Sequence, residues 1–286
     1  MASDNRFAVL IDADNVSVKY IKIILDEISK DGIATYKRIY GDWTNPSLIS
    51  WKSTLLDNSI TPVQQYSYTT GKNSTDSAMI IDAMDILYSG RVEGFCLVSS
   101  DSDFTRLAAR LRESGMTVIG MGESKTPNSF IAACNKFKYL DILSAADEAE
   151  AEEAAPKAEP AKKPAAQPKK TAQKAAAKKP KEEPKAEKEP KPAEPKKQQE
   201  KAIEEPRTSL RTIRRALRTI VRENSDEDNW IMVSQVGNLL DKRYTDFDVR
   251  NFGFSKLTPF LESLDMFEIK DMKKDSSSPQ KYVRLK

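Results

Sequence analysis

The sequence predicts a three-layer α/β domain with a mainly parallel sheet, followed by a small winged-helix domain, and three observations carry that expectation. Short apolar runs alternate with amphipathic stretches between Phe7 and Cys134. Strand–helix units of that length require crossover connections, which parallel neighbours need and hairpins do not. From Ala146 to Pro206 the composition falls almost entirely to Ala, Lys, Glu, Pro and Gln, with no aromatic residue. From Arg207 onward a globular composition returns, with three helical patterns and two strand-like runs. The expected organisation is therefore a first domain over residues 1–145, a linker over 146–206 and a second domain over 207–286.

Taken in order, the first domain pairs strands with helices as Phe7–Ile11 with Val16–Ile28, Ile33–Tyr40 with Pro46–Leu56, and Ile60–Tyr66 with Ser77–Tyr88. It continues with Gly94–Val98 before Phe104–Arg112, and Met116–Met121 before Pro127–Cys134. In sheets of this kind ligands bind beyond the carboxyl ends of the strands, where strand order reverses. Three acidic motifs fall at such positions: Ile11-Asp12-Ala13-Asp14-Asn15, Gly71-Lys72-Asn73-Ser74-Thr75-Asp76 and Ser99-Ser100-Asp101-Ser102-Asp103-Phe104. A doubly wound order sets the first and fourth strands side by side, so Asp12 and Asp101 converge although they are far apart in the chain.

The chain has no histidine. That excludes Ser-His-Asp and Cys-His relays and His-ligated zinc. An Asp after a strand is also a common turn or cap residue. Several acids on one sheet edge repel one another, however, and a hard, oxygen-seeking cation such as Mg2+ or Mn2+ relieves that repulsion. The expected ligands and catalytic acids are Asp12, Asp76, Asp101 and Asp103, with Asp14 a weaker candidate. Asp82 and Asp85 lie further along the third helix, off the face of Asp76, and read as surface or supporting groups. A nucleotide-triphosphate loop around Lys72 is disfavoured, because Tyr66 occupies the upstream glycine position and Asn73 follows the lysine.

Cys96 and Cys134 lie in apolar runs without a CxxC pair and read as buried free thiols of a reducing compartment. The N-terminus lacks the pattern of a signal peptide, and no stretch approaches the roughly 18 apolar residues of a membrane span. A soluble, cytoplasmic protein without membrane association is expected. Residues 1–145 hold 15 basic and 17 acidic side chains (15 − 17 = −2), and residues 207–286 hold 16 and 12 (16 − 12 = +4). The segment between them cannot bury enough apolar surface to offset its ordering entropy, so it reads as a disordered tether. Its Lys162–Lys181 stretch, without an acid, would add sequence-blind affinity for a polyanion. Such a tether would permit action at a variable distance from a bound element.

In the second domain Leu210, Ile213, Ala216 or Leu217, and Ile220 or Val221 form an apolar helical stripe, with Arg207, Arg211, Arg214, Arg215, Arg218 and Arg222 on the other faces. Helical patterns around Met232–Leu240 and Leu257–Leu264 follow. Strands at Met266–Lys270 and Lys281–Leu285 then close a winged helix suited to nucleic-acid contact. Trp230, Phe247, Phe252 and Phe254 read as core residues rather than base-stacking platforms. Arg250, Lys256, Arg214 and Arg218 are the candidates for phosphate contact.

Along residues 6–143 the motifs Asp12-x-x-Asn15, Lys72-x-x-x-Asp76 and Ser99-x-Asp101-x-Asp103-Phe104 resemble the NYN domain family of the PIN-like nuclease group. The resemblance implies a Rossmann-like (PIN-like) sheet and metal-dependent ribonuclease activity. Asp12, Asp76, Asp101 and Asp103 would then be the metal-site acids, Asn15 and Ser99 would support their geometry, and Lys72 would face substrate. Over about residues 208–285, Trp230–Gly237 and Phe247-Asp248-x-Arg250-Asn251-Phe252-Gly253 resemble the OST-HTH, or LOTUS, family, with Phe252 where Tyr is usual. That likeness implies a module that binds RNA, docks a protein, or does both. The resulting expectation is an Mg2+- or Mn2+-dependent endoribonuclease whose C-terminal module holds RNA. The alternative is a catalytically silent RNA-binding adaptor.

Overall fold

The computed structural model describes residues 5–66, 74–154, 208–272 and 280–286. The N-terminal part is a parallel sheet in the order β3-β2-β1-β4-β5-β6. Its strands are β1 (Arg6–Asp12), β2 (Ile33–Gly41), β3 (Thr61–Gln64), β4 (Gly94–Val98), β5 (Thr117–Gly122) and β6 (Lys136–Tyr139). The helices are α1 (Ile21–Asp31), α2 (Trp51–Asp57), α3 (Ser74–Ser89), α4 (Thr105–Glu113), α5 (Asn128–Ala133) and α6 (Leu140–Ala154).

β1 and β4 are central, and their runs FAVLI and GFCLV are buried throughout, as strands covered on both faces must be. Side chains alternate between two cores. Phe7, Val9 and Ile11 join Ile24 and Ile28 of α1, Trp51 of α2 and Leu143 of α6. Ala8, Leu10, Phe95 and Leu97 join Met79 of α3, Leu107 of α4 and Phe130 of α5. This gives the three layers the apolar pattern requires. β1 pairs with β4 from Phe7↔Gly94 to Ile11↔Val98, so strand order reverses between them. β3 lies at one edge and carries Pro62, which cannot donate to a ladder and is suited to an edge strand.

The structure adds two elements to those expected. β6 is a four-residue strand whose Lys-Phe-Lys-Tyr alternation is too short to stand out as a period. α6 continues through the start of the segment expected to be linker, as its Ala- and Glu-rich sequence favours. The second amphipathic stretch also divides, into a 3-10 turn at Pro46–Leu48 and α2. The remainder of the expected tether lies outside the described residues.

The C-terminal part comprises α7 (Leu210–Asn224), β7 (Ile231–Met232), α8 (Val233–Arg243), α9 (Leu257–Ser263), β8 (Phe267–Met272) and β9 (Gln280–Leu285). It is a winged helix, with an antiparallel sheet in the order β7-β9-β8. Its wing has a third strand: Ile231, β-branched and buried, pairs with Val283, and Met232, expected at the start of a helix, pairs with Tyr282. Ile213, Leu217 and Ile220 of α7 pack with Val236, Leu240 and Phe260 as the core. Phe247, Phe252 and Phe254 each contact the Phe260 ring, and Trp230 is buried beneath the Arg284 guanidinium. All four aromatics are therefore structural. Gly253, at φ 80° and ψ 20°, closes the 3-10 turn Val249–Phe252 in a left-handed conformation that favours glycine.

Candidate active site

The acids gather at the carboxyl ends of β1 and β4, at the reversal of strand order. Asp12 is the last residue of β1 and is only 1% exposed. Both of its carboxylate oxygens are engaged. Oδ1 accepts from the Asp14 backbone N–H (3.0 Å), and Oδ2 accepts from Asn15 Nδ2 (2.7 Å) and Ser99 Oγ (2.8 Å). Burial raises the Asp12 carboxyl above its usual range, and the donors from Asn15, Ser99 and Asp14 oppose that rise.

Ser99 links the two strand ends, since its hydroxyl also accepts from the Asp101 backbone N–H (3.1 Å). Asp101 in turn caps the 3-10 turn Ser102–Phe104 by accepting from the Asp103 N–H (2.9 Å). This turn allows little room around it. A Cβ on Gly122, at the end of β5, would stand 2.7 Å from the Ser99 carbonyl oxygen and 2.6 Å from Thr126 Oγ1. Ser100 Oγ accepts from the backbone N–H of Glu123, which fixes the β4 and β5 termini together.

Asp76 enters from the first turn of α3 and is 8% exposed. Burial pushes its carboxyl up to about 6, and the charges of Asp12, Asp101, Asp103 and Asp14 act in the same direction. One carboxylate oxygen from each of Asp76, Asp101 and Asp103 lies within 4.8 Å of the others. Asp12 is not one of this trio; it contributes negative charge beside it. Three carboxylates, one buried and one exposed, with repulsion expressed in a raised acid, form a donor set fitted to a hard divalent cation.

Of the residues expected at the site, Asp12, Asn15, Ser99, Asp76, Asp101 and Asp103 are brought together, and Lys72 lies outside the described residues. Asp82 is not a loose surface group: it pairs with Arg38 and accepts from the Tyr40 hydroxyl, which fastens α3 to β2. Asp85 is exposed. Glu123, not anticipated, follows β5 and accepts from the Tyr20 hydroxyl at 3.2 Å. Its signal was an acid just beyond a predicted strand.

A second charged surface lies on α7. Arg211, Arg214, Arg215, Arg218 and Arg222 line an open groove of about 800 Å3. All five are exposed, and Arg214 also donates to the Leu264 carbonyl (3.0 Å). Lys256 is exposed before α9. Arg250, expected to meet phosphate, instead holds two carboxylates: it donates to both oxygens of Glu27 (2.6 and 3.0 Å) and to Asp248 (2.6 Å).

Comparison with known proteins gives two family matches: the NYN domain over residues 6–141 and the OST-HTH/LOTUS domain over residues 207–278. No curated protein matches the chain. Among solved structures, a protein of unknown function from Vibrio parahaemolyticus is 19% identical, with a TM-score of 0.41 over 49% of this chain and 96% of that one.

Proposed function

With an NYN domain at residues 6–141 joined to an OST-HTH/LOTUS domain at 207–278, we propose that the chain is a metal-dependent endoribonuclease. The nuclease-like domain would carry the chemistry and the RNA-binding type of module would hold the substrate. The observation that carries this reading is the convergence of Asp76, Asp101 and Asp103 within 4.8 Å at the crevice between β1 and β4.

Asp76, Asp101 and Asp103 would hold Mg2+ or Mn2+. When bound, such an ion supplies a more acidic water and neutralises charge on a phosphodiester. The chain's own groups prepare that site. Asp12, held by donors on both oxygens, gives Ser99 an acceptor. Ser99 then positions the Asp101 backbone. Asp76, raised to about 6, keeps its carboxyl protonated in a large fraction of molecules near that pH, so ion binding there would release a proton.

The exposed arginines of α7 would take the RNA backbone, since guanidinium groups pair with phosphate in a two-pronged geometry. Cys96 and Cys134 are buried free thiols, burial pushing Cys134 up to about 12, and they support placement in the reducing cytoplasm. Among the described residues no helix is long and apolar enough to cross a membrane. The test is cleavage of RNA, single-stranded DNA and a small phosphomonoester in the presence of Mn2+ or Mg2+, with Asp101→Asn as control. RNA cleavage lost in the variant is expected. No RNA cleavage above the variant would leave the chain as an RNA-binding adaptor.

A further inference from the structure

Glu27, on α1, is 3% exposed yet charged. A carboxylate that deeply buried requires close cationic partners. It has Lys30 of its own helix, Lys138 of β6 at 2.9 Å, and Arg250 of the C-terminal module, whose guanidinium reaches both Glu27 oxygens. Lys138 also pairs with Asp31 at 2.9 Å, and Lys136 joins Asp31 at 2.7 Å. Asp248 completes the array from the module's side by holding Arg250 in position. Burial acts to raise the Glu27 carboxyl, but the hydrogen bonds from Arg250 and Lys30 and the charge of Lys138 hold it well below the usual carboxylate range.

Backbone and hydroxyl contacts surround this ionic core. β6 is an edge strand, with outward N–H groups that need a cover. The Phe137 N–H donates to the Thr245 carbonyl at 2.7 Å. The Tyr139 hydroxyl donates to Asp246 at 3.3 Å, and Asp246 also accepts from the Thr208 hydroxyl. The described residues of the N-terminal and C-terminal parts accordingly fall within one compact unit.

We propose that the Thr245–Arg250 segment is a docking surface whose partner is the α1/β6 edge of the same chain's N-terminal domain, with Glu27 and Arg250 as the pair that sets its specificity. An exposed ion pair would contribute little, but here a nearly inaccessible carboxylate is met by a two-pronged donor; removing Arg250 leaves Glu27 to Lys30 and Lys138 alone, and removing Glu27 leaves Arg250 to Asp248 alone. The docking uses a surface separate from the arginine groove of α7, so one module has a face for its own head and a face for a polyanion. It also opposes the expectation that the module ranges freely at the end of a tether. None of this rests on the nuclease reading.

The test keeps the full chain and inserts a specific protease site between residues 160 and 200. After cleavage, the two halves are expected to co-elute in size exclusion. Glu27→Arg or Arg250→Glu alone should weaken the association by at least about a hundred-fold, because each reversal sets like charges against one another in the contact. Full recovery is not expected on combining Glu27→Arg with Arg250→Glu, because position 27 still faces Lys30 and Lys138 and position 250 still faces Asp248, but the combined loss should be clearly smaller than the sum of the two single losses, a coupling that misfolding of one half would not produce. Arg250→Lys, which keeps the charge without the fork, should weaken it by about ten-fold. Wild-type halves that separate on cleavage would overturn docking. Single reversals that co-elute like wild type, or a double variant whose loss equals the sum of the two single losses, would overturn the Glu27–Arg250 assignment.

Discussion

Asp76→Asn should stabilise the metal-free protein, and its size can be worked from the site. The Asp76 carboxyl lies at about 6 against an ordinary value of 3.8. That difference of about 2.2 units corresponds to at most about 3 kcal/mol of unfavourable interaction in the ionised form. Burial is the largest cause and the charges of Asp12, Asp101, Asp103 and Asp14 add to it; Asp101 is partly exposed and Asp103 exposed, so water screens the total to roughly half, ~1.5 kcal/mol. The substitution also removes an acid from the first turn of α3, which costs about 0.5 kcal/mol of helix-dipole stabilisation. The net gain is about 1 kcal/mol, or ~2–4 °C in melting temperature for a protein of this size. Because the folded carboxyl is raised, the penalty in wild type is absent below about pH 4, grows as pH rises through 3.8 toward 6, and is complete above. Thermal unfolding in chelator should therefore show the gain near neutral pH and lose it near pH 4 (about one unit either way). Adding Mn2+ should stabilise wild type more than the variant and reverse their order. A variant equally shifted at both pH values, or less stable than wild type in chelator at neutral pH, would refute the electrostatic account.

Asp101→Asn should abolish both the Mn2+-induced rise in melting temperature and RNA cleavage, and adding Asp103→Asn should cost little more, because groups that assemble one site act as a unit; turnover of the single and double variants checks this. Ser99→Ala should lower stability by about 1–2 kcal/mol in chemical denaturation, since buried Asp12 loses a donor and the Asp101 N–H loses its acceptor. Arg215→Ala combined with Arg218→Ala should weaken RNA binding and reduce the magnitude of its log-log salt slope by about 1–2, while leaving turnover on saturating short RNA unchanged. Filter binding over a salt series, with parallel steady-state kinetics, measures both.

The parts of the fold legible in the sequence were those written in local pattern. FAVLI and GFCLV read as buried strands, and the doubly wound order that follows places Asp12 beside the Ser99–Asp101 turn. What local pattern could not carry was contact across distance. Lys136 and Lys138 resemble solvent lysines in a run too short to show a period, yet they face Asp31 and Glu27 more than a hundred residues earlier in the chain. Arg250 looked like a phosphate ligand because nothing near it in sequence announces Glu27; only tertiary structure supplies that partner. Nor does local pattern sort the roles of Asp12, Asp76, Asp101 and Asp103. Their spacing gives no hint that donors from Asp14, Asn15 and Ser99 occupy both Asp12 oxygens while Asp76, Asp101 and Asp103 face one another.

Those commitments also bear on where a polyanion can bind. In the N-terminal domain Arg6 pairs with Glu93, Lys30 and Lys138 with Glu27, Arg38 with Asp82, Lys125 with Glu123, and Lys136 with Asp31. These cations mainly offset the domain's own acids, and its formal charge remains near −2 (15 − 17). A phosphate chain approaching the acid crevice would therefore meet repulsion until a cation is bound there. On α7 the balance is opposite: five exposed arginines share one groove, and the turn of the module that carries Arg250 is engaged with the head. On the proposed function, attraction and chemistry would belong to different surfaces. A metal-free site can remain strongly acidic without abolishing RNA capture, and loss of the α7 arginines should weaken capture without altering the acid centre. The salt dependence of binding and the metal dependence of cleavage should then be separable in one protein.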